Sequence, residues 1–182
     1  MKVEFGLMAL PYDWKKDIVF VLESELRSHP EKYLIEELSE PTNRHVGRFY
    51  MGEGGQHYAF KDSIAHAVHI LCFLGVKQLA EGKPFEYIGF MNGKTTMYTP
   101  KDNLIEILPD VLDEVTRHYV KGDPIFLDRK RLLPALYQCG CRYLDFLTET
   151  LPHKGHEKSV PMLKPLADAA LLALRQNGYG QD

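Results

Sequence analysis

Three features of the chain predict an α+β fold. Most apolar residues recur at the three- and four-residue spacing of amphipathic helices. Two glycine-containing segments, near residues 54 and 92, each separate a pair of strand-like runs and predict two β-hairpins. The mixed order of elements and their short connections argue against a doubly wound parallel sheet. We therefore predict a mostly helical single domain, residues 1–182, with about six helices around a small antiparallel sheet.

The longest apolar segment, residues 62–82, predicts a buried central helix because apolar residues cover most of its circumference. Asp62 or Ser63 can cap its first turn by accepting a backbone N–H. Gly82 suits the left-handed position that follows a helix end. At about 100° per residue, the polar residues of the segment lie in one narrow stripe: Asp62, His66, His69 and Lys77.

The N-terminal part of the chain predicts one strand and two helices. The strand covers residues 3–10. A helix from Trp14 to about Ser28 follows Asp13, a good N-cap, and shows helical spacing of its apolar residues. Pro30 starts a second helix that extends to about Ser39, since proline is pre-organised for a first helical turn. The outer face of this second helix is acidic: Glu31, Glu36, Glu37 and Glu40.

The first predicted hairpin has strands at residues 48–51 and 57–60. They flank the glycine-rich sequence Gly52, Glu53, Gly54, Gly55. Glycine-rich phosphate loops lead directly from a strand into a helix, and here a second strand follows. We therefore interpret this sequence as a flexible turn.

The second predicted hairpin pairs residues 86–91 with 94–99 around Asn92-Gly93. This dipeptide supplies the positive φ angles of a two-residue type I′ turn. Three further helices are predicted at residues 102–122, with a kink at Pro109, at 128–151 and at 162–177. At an offset of 40 residues, segments 48–81 and 88–121 share several identities, which indicates either a duplicated hairpin-helix unit or chance similarity.

Composition limits the classes of partner and the compartment. The net charge is −3 and the pI is about 6.2, so the chain has no dominant basic field and we do not expect nucleic acid as a partner. No run approaches the roughly 18 apolar residues of a membrane span, and the N-terminus does not have the pattern of a secretory signal. Cys139 and Cys141 are too close in sequence for a typical disulfide, which favours reduced thiols and a cytoplasmic location.

No catalytic motif is specific enough to predict a reaction, because HExxH, P-loop and GxSxG patterns are absent. We therefore expect a small acidic protein-binding module without a cofactor, such as an inhibitor or immunity-type protein that blocks a toxin or an enzyme. Acidic surfaces accelerate association with basic targets. The residues predicted to bind the partner are Glu31, Glu36, Glu37, Glu40, Gly52, Glu53, Gly54 and Gly55.

Two alternatives remain open at this stage. His66 and His69, at i and i+3 on the central helix, can present two imidazoles to one divalent metal, with Asp62 and His57 as further ligands. The chain would then be a metal-dependent or general-base enzyme. The second alternative is a homo-oligomeric structural protein, most simply a homodimer through the apolar face of the C-terminal helix.

Overall fold

The computed structural model describes residues 1–11, 19–35, 46–91, 93–149 and 156–179. Within these residues the chain forms two five-stranded antiparallel sheets and four helices. The α+β class is correct, but the prediction of a mostly helical domain with six helices around one small sheet is wrong. Several segments with helix-like spacing are strands.

The first sheet is built from the N-terminal third of the chain. Its strands run in the order β2-β1-β4-β5, and β3 also pairs with β1. A short helix, α1 (Glu23–Ser28), and a single 3₁₀ turn (Pro30–Lys32) connect β2 to β3. The strands are β1 (Lys2–Pro11), β2 (Val19–Leu22), β3 (Tyr33–Ile35), β4 (Val46–Glu53) and β5 (Gln56–Ser63).

Both helices predicted before residue 40 are corrected. The described part of the first, Trp14 to Ser28, consists of strand β2 followed by the short α1. Val21 is buried whereas Phe20 and Leu22 are exposed, which is the period-two pattern of a strand. The second, Pro30 to Ser39, is replaced by the 3₁₀ turn and β3 as far as residue 35. Residues 12–18 and 36–45 lie outside the described residues.

The second sheet is built from the middle of the chain. Its strands run in the order β10-β8-β7-β6, and β9 pairs with the end of β8. A hydrogen bond of 2.8 Å between the Tyr58 hydroxyl and Thr96 Oγ1 joins β5 of the first sheet to β7 of the second. The strands are β6 (Phe85–Ile88), β7 (Thr95–Lys101), β8 (Leu104–Leu112), β9 (Tyr119–Lys121) and β10 (Ile125–Asp128).

The predicted helix over residues 102–122 is wrong, because β8 and β9 occupy this segment. Ile105, Ile107 and Pro109 are buried and the residues between them are more exposed, so burial follows the two-residue period of a strand. Pro109 therefore lies in a strand and kinks no helix. Segment 88–121 consequently has no counterpart to the helix that follows the first hairpin.

The two hairpins form, but their turns differ from those predicted. Glu53 pairs with Gln56, and Gly54 and Gly55 have φ angles of 56° and 88°. This two-residue turn with positive φ at both positions is the geometry that was expected at Asn92-Gly93. In the second hairpin the Gly89 N–H instead donates to the Lys94 carbonyl at 2.8 Å, so Gly89 and Lys94 close this hairpin. Asn92 itself lies outside the described residues.

The central helix, residues 64–80, is buried as predicted. It consists of α2 (Ile64–Ala67), a π-helical segment (Val68–Gly75) and α3 (Val76–Ala80). Leu71, Cys72 and Phe73 have no exposed surface. The helix contacts β4 of the first sheet and β6 and β7 of the second, so it lies between the inner faces of both sheets.

Two long helices complete the core. α4 (Arg129–Glu149) packs on the π-helical segment and on β1, and α5 (His156–Gln176) packs on α4 and the central helix. α5 begins at His156 rather than at Met162, so part of the segment expected to be a loop is helical. Its Ala-Leu face is buried against the body of the same chain. Among the described residues, no helix combines the length and the hydropathy needed to cross a lipid bilayer.

Candidate functional site

The polar stripe of the central helix begins with a buried carboxylate that is already saturated with donors. Asp62 is 1% exposed. Its Oδ1 accepts the backbone N–H groups of Ser63 (2.7 Å) and Met91 (3.1 Å). Its Oδ2 accepts the Tyr87 hydroxyl (2.5 Å) and the Phe90 N–H (2.9 Å). The carboxylate therefore fastens the β6–β7 loop to the start of the helix, a structural role.

His66, the first histidine of the stripe, contacts the same loop. His66 Nε2 lies 2.9 Å from the Ile88 carbonyl oxygen, and its ring lies beside the rings of Tyr87 and Phe90. Because a carbonyl only accepts, the Nε2 atom carries the proton in this arrangement. His69 is half-buried, and this burial, with His66 nearby, lowers its pKa from the ordinary value.

The structure does not bring the four proposed metal ligands together. His57 is exposed near the tip of the first hairpin, where it stacks on Tyr50 with ring centroids 6.1 Å apart. Along β5, Asp62 lies five positions after His57, a distance of roughly 16 Å. Across the described ranges, no three His, Cys, Asp or Glu side chains are grouped so that they could hold a metal ion. No observation favours the metal-dependent alternative.

Of the four glutamates predicted to bind a partner through the acidic N-terminal segment, one lies within the described residues. Glu31 is exposed in the 3₁₀ turn, with an oxygen 3.5 Å from His29 Nδ1. Glu36, Glu37 and Glu40 lie outside the described residues. The acidic segment therefore stays a prediction.

The glycine-rich turn, residues 52–55, is engaged within the chain. Glu53 pairs with the Met1 ammonium at 3.2 Å and also with Arg131. Gly52 has a specific steric role, since a Cβ there would lie 2.6 Å from the Tyr50 hydroxyl. The turn borders a surface cavity of about 450 Å³ that is also lined by Lys2, Tyr50 and His57.

A surface that the sequence did not indicate lies on the outer face of the second sheet. Strand residues with buried side chains alternate with residues that point away from the core. Three of the outward residues are large, apolar and exposed: Leu104 (40%), Phe126 (39%) and Ile88 (54%). Met97 and Leu108, on the middle strands, lie between them and are half-buried.

Carboxylates are interspersed with these apolar residues. The outward positions of the same strands also carry Glu86, Glu106, Asp110 and Asp128. Lys101 pairs with Glu106 at 3.3 Å, and Lys121 pairs with Asp110 at 2.7 Å. We call these residues together the acidic sheet face: Glu86, Ile88, Met97, Leu104, Glu106, Leu108, Asp110, Phe126 and Asp128.

Hydrogen bonds keep one carboxylate of this face, that of Asp110, ionised. Burial raises the pKa of Asp110, but hydrogen bonds from the Lys121 ammonium and from Thr95 outweigh that effect. The pKa of Asp110 therefore lies below its ordinary value, so this carboxylate is charged at neutral pH.

The hairpin formed by β9 and the end of β8 extends the apolar surface. All three residues of β9 are exposed, and Val115 in the connecting turn is 91% exposed. Single exposed apolar residues are ordinary, but a contiguous group is typical of an interaction site. The exposed apolar residues of the hairpin are Val111, Leu112, Val115, Tyr119 and Val120.

Comparison with known proteins adds no functional information. No protein-family model matches the chain, and neither the curated proteins nor the solved structures contain a significant match. A functional assignment therefore depends on the surfaces and side-chain arrangements described above.

Proposed function

We propose that this chain is a non-enzymatic, cytoplasmic protein-binding module that docks onto a basic partner through the acidic sheet face. The observation that carries the proposal is that three exposed apolar residues, Leu104, Phe126 and Ile88, share the outer face of the second sheet with four carboxylates. Exposed apolar and aromatic residues interspersed with polar groups are typical of protein interfaces.

The charges of this face favour a basic partner. The face holds four carboxylates, and within the part of the chain that the structure describes, Glu106 and Asp110 are the two that pair with lysines. An acidic surface accelerates encounter with a basic one and discourages acidic competitors. Such charge complementarity suits an inhibitor or immunity-type protein that blocks a basic toxin or enzyme.

The surroundings of Asp62 and Cys72 favour structural roles over catalytic ones. Asp62 is saturated with hydrogen bonds, and burial raises the pKa of the Cys72 thiol well above its ordinary value. A thiol in this state is a poor nucleophile. A homodimer through the Ala-Leu face of α5 is disfavoured, because this face is buried within the chain.

The test is a comparison of matched double variants in quantitative affinity purification from the native host. Leu104→Arg/Phe126→Arg places two cations on the acidic sheet face. Phe20→Arg/Leu22→Arg makes the same residue changes at exposed positions of the first sheet. We expect a stoichiometric basic protein with the wild type and with the control, and its loss with the first variant.

Titration of the purified partner gives the magnitude. We expect the dissociation constant to rise by about 100-fold or more for Leu104→Arg/Phe126→Arg, since central apolar residues dominate binding energy. The control should stay within about threefold. A partner that binds this variant as tightly as the wild type would exclude the acidic sheet face as the docking surface.

A further inference from the structure

The outer face of the first sheet has the opposite charge from the acidic sheet face. Along β1, Val3, Phe5 and Leu7 point into the core, so the alternate residues point outward. The register places these residues beside outward residues of β2, β4 and β5. We call the resulting surface the basic sheet face: Lys2, Glu4, Phe20, Leu22, Arg48, Tyr50, His57 and Lys61.

Cations and aromatic rings alternate across this face. Arg48 and Lys61, on paired positions of β4 and β5, lie 5.0 Å and 5.6 Å from the centre of the Phe20 ring. The Lys2 ammonium lies 5.9 Å from the centre of the Tyr50 ring. Among the described residues, the only carboxylate pointing outward on this sheet is Glu4, which pairs with Lys2 at 2.9 Å.

Tyr50 and His57 place two nearly parallel aromatic rings at one end of the face. Their rings are within 19° of parallel, with centroids 6.1 Å apart. Tyr50 reaches across Gly52, where the absence of a side chain leaves room for its hydroxyl. The cavity of about 450 Å³ beside these rings is of the size that holds small ligands such as a nucleobase.

We propose that the basic sheet face binds single-stranded nucleic acid. In this arrangement a base stacks on Tyr50 and His57, and Arg48 and Lys61 contact the phosphates of neighbouring nucleotides. Sequence-tolerant binding of single strands depends on this combination of ring faces and backbone-neutralising cations. An acidic protein would need only the cations, whereas the stacked Tyr50 and His57 rings also suit a planar base.

Charge segregation explains how an acidic chain can present such a surface. The net charge of −3 led us to expect no nucleic acid, but carboxylates are concentrated on the other sheet. Electrostatic binding responds to the local potential at the contact surface, and that potential is screened within about 8 to 10 Å at physiological salt. The proposal is independent of partner docking at the acidic sheet face.

The test is fluorescence anisotropy with fluorescein-labelled oligouridine and oligothymidine of about 12 nucleotides. We expect saturable binding by the wild type and a loss of about tenfold or more for Arg48→Glu/Lys61→Glu. Loss of two phosphate contacts should also reduce the slope of log affinity against log salt by about 1.4. His57→Ala should weaken binding by at least about fivefold, because it removes a stacking surface and leaves every lysine and arginine in place.

Lys83→Glu/Lys101→Glu provides the matched control, because it makes the same change in net charge at exposed residues away from the basic sheet face. It should bind within about twofold of the wild type. Thermal unfolding establishes that each variant is folded. Absence of saturable binding at low salt, or equal losses in both double variants, would overturn the proposal. Binding of uridine monophosphate as tight as that of the oligonucleotide would also overturn it, in favour of a free-nucleotide site.

Discussion

The Tyr87 hydroxyl donates a 2.5 Å hydrogen bond to Oδ2 of the buried Asp62 carboxylate. Burial and then Asp62 raise the pKa of Tyr87, which keeps the hydroxyl protonated and able to donate. Because Asp62 also accepts the N–H groups of Phe90 and Met91, one carboxylate determines where the β6–β7 loop lies. Ile88, at the start of this loop, belongs to the acidic sheet face.

Asp62→Asn should therefore destabilise the fold by about 3 kcal/mol. The Asp62 carboxylate accepts hydrogen bonds at both oxygens, whereas an asparagine amide accepts at its oxygen and donates at its nitrogen. At least one buried donor therefore loses its acceptor. Urea unfolding gives the free energy. Asp102→Asn is the matched control: Asp102 is exposed at φ 51°, where asparagine is well tolerated, and we expect a change within about 0.5 kcal/mol. Equal stability of the two variants would contradict the role given to Asp62.

Gly140→Ala tests the contact between α4 and the central helix. A Cβ at Gly140 would lie 2.7 Å and 2.8 Å from atoms of the Phe73 ring and 2.9 Å from Cys72 Cβ. Alanine normally gains up to about 1 kcal/mol over glycine in a helix, but overpacking costs about 1–3 kcal/mol. We expect net destabilisation of about 1–2 kcal/mol by urea unfolding. Gln138→Ala, at an exposed position of α4, should change stability little, and a stabilised Gly140→Ala would refute the close approach.

The buried thiol of Cys72 predicts a loss of stability at alkaline pH. Burial raises the pKa of this thiol above that of an unfolded cysteine, about 8.5. Its contribution is fully present below that pH and is lost as the pH rises, because only the unfolded chain then releases the proton. Between pH 8 and 10, the unfolding free energy should fall less steeply with pH in Cys72→Ala than in the wild type. The two slopes should differ by up to about 1.4 kcal/mol per pH unit. Parallel curves for the two proteins would contradict this assignment.

Glu81 should titrate at unusually low pH. Hydrogen bonds from Lys77 and Lys83, at 2.6 Å and 2.8 Å, lower its pKa from 4.5 to about 2. Because the folded-state pKa is depressed, any stabilisation is present above about pH 4.5 and is lost as the pH falls towards 2. Carboxyl ¹³C NMR should show the pKa returning towards 4.5 in Lys77→Gln/Lys83→Gln and unchanged in Lys101→Gln.

Charge reversal can rank the two candidate acidic surfaces. Glu86→Lys/Glu106→Lys alters the acidic sheet face, and Glu36→Lys/Glu37→Lys alters the acidic segment predicted from the sequence. If the sheet face docks the partner, the first variant should slow association by about tenfold or more at low salt. The second should have the smaller effect in the same stopped-flow measurement. The reverse order would assign docking to the acidic segment.

The sequence predicted the central helix because its apolar run is long enough to exclude other structures. It failed at β8 because two sets of apolar residues overlap there. Ile105 and Ile107 face the core, Leu104 and Leu108 face outward, and Val111 is exposed near the end of the strand; together they imitate helical spacing. The outward residues that caused the error belong to the proposed docking surface or its hairpin extension, which is where local pattern and function are expected to conflict.

The second turn failed for a different reason. Asn92-Gly93 favours a two-residue turn, but the Asp62 carboxylate binds the N–H groups of Phe90 and Met91. A contact between residues distant in sequence therefore overrides the local turn preference, and the hairpin closes at Gly89 and Lys94. The same distance in sequence explains why the Asp62–Tyr87 pair, and the assembly of either sheet face, could not be predicted from spacing.

The π-helical segment Val68–Gly75 makes the central helix intolerant of insertions and deletions. The N-terminal end of the central helix is held to the β6–β7 loop through Asp62 and His66. The C-terminal end is held by Arg129, which donates to the Leu79 carbonyl at 2.6 Å. Adding or removing one residue between these anchors would rotate one end by about 100° relative to the other. Chains that diverge from this one should therefore conserve the length of this segment more strictly than its apolar side chains.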